Sequence, residues 1–124
     1  MMVTYTVHGT AYPLALTLGA MEGLDSLCGG IEHIDTAFDG KGTMQILSIA
    51  INMLAVLLQG GYDYLREQGE EAVKPPSREA LMVSLFPRDI KGARTAIYQA
   101  IAEGMGRTVD VEADGKNAGA TQGG

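Results

Sequence analysis

The side chains best suited to chemistry cluster early in the chain, where Cys28, Glu32, His33 and Asp35 share the stretch CGGIEHID. A thiol beside an imidazole is the minimum for nucleophilic catalysis, the imidazole drawing the proton off sulfur while an acid orients the ring. Against that chemistry, Gly29 and Gly30 separate the two groups and the other histidine, His8, is far off in sequence. A single cysteine on an apolar helix face is usually a small hydrophobe. Metal binding has less support: His8 and His33 fall in different elements, and no Cys-x-x-Cys or His-Glu-x-x-His spacing occurs. Gly40-Lys41-Gly42-Thr43 ends like a phosphate loop but lacks the earlier glycine and the preceding strand, so a turn accounts for it better. The sequence therefore predicts no catalytic, cofactor-binding or metal-binding residue. A small thiol enzyme using Cys28 remains as a rival reading.

Composition narrows the classes further. The chain has 124 residues, a length suited to one domain with a single core, and a net charge of -6. Its nine Lys and Arg are scattered, which argues against nucleic acid and anionic membranes as partners. Cys28 is alone and cannot form an internal disulfide, and seven methionines fit a reducing cytosol. Methionine fills gaps in cores, or supplies adaptable contact surfaces.

The elements that must position these residues follow from periodicity. Val3, Tyr5 and Val7 alternate with Thr4, Thr6 and His8, Gly9 marks a turn, and Tyr12, Leu14 and Leu16 alternate again. This is the pattern of a β-hairpin, with Pro13 suggesting that the second strand has a free edge. Thr17 can cap a short helix with Leu18, Met21, Leu24 and Leu27 or Cys28 on one face, closed by Gly29-Gly30. Ile31, Ile34 and Phe38 keep a loose helical register before the loop DGKG.

The stretch TMQILSIAINMLAVLLQGGYDYL, residues 43 to 65, raises the question of a membrane anchor. Its apolar run from Met44 to Leu58 is shorter than the roughly 20 residues a spanning helix needs, and Gln45, Ser48 and Asn52 interrupt it. A secretory signal would carry positive charge ahead of its apolar run, yet no Lys or Arg precedes Lys41. The expectation is a buried core helix over 43–59, capped by Thr43 and ended by Gly60-Gly61. Beyond the acidic REQGEE, Pro75-Pro76 breaks the chain, and Ser77 caps a helix carrying Leu81, Met82, Leu85 and Phe86 that Pro87 stops. From Asp89 to Met105, Ile90, Ala93, Ile97, Ile101 and Met105 share one face, with Arg88, Lys91 and Arg94 opposite. After Val109 the sequence becomes small, polar and glycine-rich, which predicts a disordered tail. The expected fold is α+β and mostly α-helical: an N-terminal β-hairpin packed on a small helical bundle, one domain over 1–108 and a flexible tail over 109–124.

This order of parts, with Gly9, Tyr12, Leu14, Leu16 and Thr17 at the hairpin and an apolar helix closing on glycine and Tyr62, resembles the tail assembly chaperones of long non-contractile-tailed bacteriophages of the prophage-type tail module. The resemblance spans about residues 3 to 108. It implies a non-enzyme in the host bacterial cytoplasm that coats the tape measure protein, recruits the tail tube protein and is then displaced. A homo-oligomer is compatible with that role. Such a chaperone needs apolar grooves on an acidic scaffold, and Met82, Leu85, Phe86, Tyr98 and Met105 are the candidates to line them. The family resemblance also implies two product lengths, the longer made by a programmed ribosomal slip and engaging the tube subunit. Gly115-Lys116-Asn117 can encode the slip sequence A AAA AAC. Within virion assembly the rival reading is a structural subunit, a tail terminator or connector.

Overall fold

A computed structural model describes residues 2–107. It is mostly helical, with an N-terminal antiparallel hairpin against the helices. The expected tail, and the slip site within it, lie outside the described residues.

Strands β1 (Val3–Val7) and β2 (Thr10–Leu14) pair with Val3 opposite Leu14, Tyr5 opposite Tyr12 and Val7 opposite Thr10. Their turn is His8-Gly9, with φ of 51° and 80°. Positive φ at both positions matches the twist of the flanking strands, and glycine accepts it without steric cost. Counting from that two-residue turn, Thr4 and Pro13 form a pair without ladder bonds, so β1 loses nothing to the missing proline N–H. The edge that Pro13 marks is not free. Helix α2 (Thr43–Glu67) covers it, and the Ala15 N–H donates to the Leu57 carbonyl at 3.2 Å.

Helix α1 (Leu18–Cys28) begins where the Thr17 hydroxyl accepts from the Ala20 N–H at 3.1 Å, and ends at Gly29 with φ of 72°. Its buried face differs from the expected one. Ala20 and Leu24 are buried, whereas Leu18 is 85% exposed and Leu27 is also exposed. Small residues set the contact: a Cβ on Gly23 would lie 3.1 Å from Val56 of α2, so the helices meet along Ala20, Gly23 and Leu24 and leave Leu18 outside. A short 3-10 helix, Ile31–Thr36, follows and buries Ile34.

Helix α2 (Thr43–Glu67) is the axle of the molecule, touching β2, α1 and both later helices. Two expectations about it are corrected. Thr43 is its first residue rather than its cap; Gly42 occupies the cap position, and its N–H donates to the Gln45 side chain at 3.0 Å. The helix also runs straight through Gly60-Gly61 to Glu67. Those glycines are spacers: a Cβ on Gly61 would overlap the Pro13 carbonyl oxygen, and one on Gly60 the Ala15 carbonyl oxygen. At 25 residues, with a window of mean hydropathy 1.6, α2 is by length and composition alone able to cross a membrane, unlike the 15-residue run that its sequence suggested. Within this fold Ala50, Ile51, Met53, Leu54, Leu57 and Leu58 are buried against protein. Complete burial of a leucine contributes about 1.5–3 kcal/mol, so this row is a main source of stability.

Helix α3 (Arg78–Ser84) is capped by the Ser77 hydroxyl, which accepts from the Ala80 N–H at 3.1 Å. A 3-10 turn, Pro87–Asp89, leads into α4 (Ile90–Gly104). Ile90, Ala93, Ile97 and Ile101 are buried as their spacing predicts, but Met105 lies past the helix end and is exposed. Among the described residues no polar or charged residue is buried.

Candidate functional site

Where the first half of α2 meets α3 and the start of α4, the bundle is left open. The opening is an apolar groove of about 200 Å³. Ile51, Leu81 and Ile90 form its buried floor, and Met44, Met82 and Phe86 stand at its rim, 65%, 44% and 55% exposed. Leu47, Leu85 and Pro87 complete the walls, and Ser48 is its sole polar side chain. The volume is below the roughly 300–1,000 Å³ of small-molecule pockets. It suits one or two apolar side chains of a partner.

Local sequence places Phe86 at the rim. A residue before proline is pushed out of the helical region, and Phe86 is extended with φ of -109° and ψ of 162°. Helix α3 therefore stops at Ser84, and the chain swings outward. The Phe86 N–H then donates to the Asp89 carboxylate at 2.8 Å, and the Arg88 guanidinium lies 4.6 Å from the ring centroid. The Arg78 side chain donates to the Asn52 side chain and ties α3 to α2.

Of the five residues the sequence singles out, Met82, Leu85 and Phe86 come together here, and Tyr98 and Met105 do not. Tyr98 is half-buried against Phe38, ring edge to ring face at 6.1 Å, while Arg94 covers Phe38 with its guanidinium 4.3 Å from the centroid. Arg94 is thus a packing residue as well as a member of the polar face. Burial raises the Tyr98 hydroxyl above its ordinary value, with Arg94 acting in the opposite sense. Met105 sits at the far end of α4. Sequence reasoning did not assign Met44, Leu47, Ile51 and Ile90 to a site, because each also fits the core stripe of its own helix.

The reactive cluster is clearer in space than in sequence. Cys28 and His33 line one hollow of about 330 Å³ together with Lys41. No hydrogen bond joins them among the described residues. Burial raises the Cys28 thiol above its ordinary value, and the Asp25 carboxylate adds to the shift. A nucleophilic cysteine needs the reverse, a stabilised thiolate. Among the described residues no group of three or more His, Cys, Asp or Glu is arranged to hold a metal ion.

Comparison with protein-family models, curated proteins and solved structures finds no match.

Proposed function

We propose that the protein is a non-enzymatic binding module, a phage tail assembly chaperone that works in the host bacterial cytoplasm. Its groove holds an apolar helical segment of the tape measure protein until the tail tube protein polymerises around it. The observation that carries this reading is the open apolar groove with Met44, Met82 and Phe86 at its rim, on a chain of net charge -6. Apolar anchors at helical spacing fit such a groove, and methionine and phenylalanine adapt to them with little polar desolvation.

The test is co-expression with the tape measure protein of the same tail module. Wild-type protein keeps that partner soluble and co-purifies with it, whereas Phe86→Glu with Met82→Glu does neither while remaining folded. Purified virions lack the protein. Its presence in them at a fixed stoichiometry would replace this reading with that of a structural subunit.

A further inference from the structure

The charge around the groove is opposite to that of the chain. On the segment from α3 to the start of α4 stand Arg78, Arg88 and Lys91 against Glu79 and Asp89, a small basic excess in a protein whose totals are nine basic and 15 acidic residues. This segment supplies α3, the 3-10 turn and the start of α4, which together form one wall of the groove. Of the two acids, the Asp89 carboxylate accepts the Phe86 N–H and keeps its negative charge. The cations are held near the rim: Arg88 lies over Phe86, Arg78 is tied to Asn52 beside Ile51, and Lys91 is exposed next to Ile90.

From this juxtaposition we infer that the groove takes an amphipathic helix whose apolar stripe is flanked by Asp and Glu, so that the apolar residues enter between Met44, Met82 and Phe86 while the carboxylates meet Arg78, Arg88 and Lys91. This rests on the groove being a partner site. It adds the sign of the partner's charge. Rim charges set which partner docks and how fast, more than how tightly the apolar core holds it. The rest of the surface, being acidic, repels the same flanks and leaves this wall as the attractive face. A second copy of this chain is a poorer occupant, because two bodies of charge -6 repel on approach.

The experiment uses two synthetic amphipathic peptides of about five helical turns, with one apolar Leu and Met stripe and either Glu or Lys along its flanks. Binding to the full chain is read by fluorescence anisotropy and located by methyl NMR at Met44 and Met82. The Glu peptide is expected to bind at least about tenfold more tightly at low ionic strength, with the gap closing as salt approaches about 0.5 M. Arg88→Glu with Lys91→Glu, at exposed positions that leave the fold intact, reverses the preference. Equal binding of both peptides, or preference for Lys, overturns the charge inference and leaves the groove reading standing if Phe86→Glu still abolishes binding. Failure of both peptides to perturb Met44 and Met82 overturns both. A dimer seen in sedimentation and broken by Phe86→Glu makes a second copy the occupant and overturns the inference as well.

Discussion

The two halves of α2 share one apolar run, Met44 to Leu58, and meet opposite fates. In the second half, Gly60 and Gly61 bring the helix so near β2 that the backbone of Pro13 to Ala15 lies on it with no room for a side chain. In the first half, Met44, Leu47 and Ile51 face α3 and α4 across a gap of about 200 Å³. Closure is set by the smallest side chain and opening by long flexible ones. Hydrophobicity alone does not say which surface is finished. Side-chain size, and what the neighbouring backbone can reach, decide it.

The largest effect belongs at the closed end. Gly61→Val should remove cooperative folding, because the clash is with backbone carbonyl rather than with a side chain that could rotate away. Gly61→Ala sets two magnitudes against each other. Helix propensity favours alanine by about 1 kcal/mol, while overpacking typically costs about 1–3 kcal/mol. The steric term should win, and urea unfolding should give a lower midpoint. An alanine variant as stable as wild type would break the contrast between the two halves.

Ile51→Asp comes next. Ile51 lines the groove yet is only 3% exposed, so its side chain belongs to the floor rather than the opening. An unpaired buried charge costs several kcal/mol against a total stability of roughly 5–15 kcal/mol. The variant should be molten or insoluble by near-UV circular dichroism and sedimentation. A soluble, cooperative Ile51→Asp protein would mean that the floor is as open as the rim.

Phe86→Glu tests the rim itself. With half of its surface already in water, its replacement should change stability by only about 0.5 kcal/mol, whereas the peptide and tape measure binding described above is lost. Loss of stability comparable to that of Ile51→Asp would make Phe86 a core residue, and the groove would cease to be a free surface.

The smallest effect is alkaline. Burial, with Asp89 adding to it, raises the Tyr5 hydroxyl above its ordinary 10.0, and burial also raises Tyr98. As pH rises, the unfolded chain therefore loses these protons first. The stability contributed by the neutral phenols is complete below about pH 10 and declines as pH climbs through the raised folded-state values. Urea midpoints should fall across that interval, and Tyr5→Phe with Tyr98→Phe should flatten the decline. An unchanged slope in the double variant would place the alkaline loss elsewhere.

Much of this was legible locally. The caps Thr17 and Ser77, the turn at Gly9 and the inward face of α4 depend on near neighbours, and spacing reports them. Gly60-Gly61 reads locally as a helix stop, because what calls for glycine there is a strand much earlier in the chain. Leu18 was misplaced for a related reason: spacing assigns it to a stripe, but Gly23 against Val56 fixes which way α1 turns. For the groove, Met82, Leu85 and Phe86 stood out near a proline that breaks the helix. Their partners on α2 were hidden, because a helix apolar on many sides does not reveal which side its neighbours leave uncovered. Tyr98 has the same apolar spacing and a different setting, made by Phe38 and Arg94.

The hydrogen bond from Ala15 to Leu57, and that from the Tyr5 hydroxyl to the Asp89 carbonyl, at 3.5 Å, have a consequence for synthesis. The hairpin leaves the ribosome before the surfaces it rests on, which lie in the middle of α2 and at the entrance to α4. A two-stranded hairpin is at best marginal alone. At about 5–20 residues per second, the chain waits several seconds between making β1 and making the turn that Tyr5 meets. The hairpin is thus translated before both of its supports and becomes permanently ordered only after them, and a nascent chain stalled before α4 holds its hairpin without one of the two.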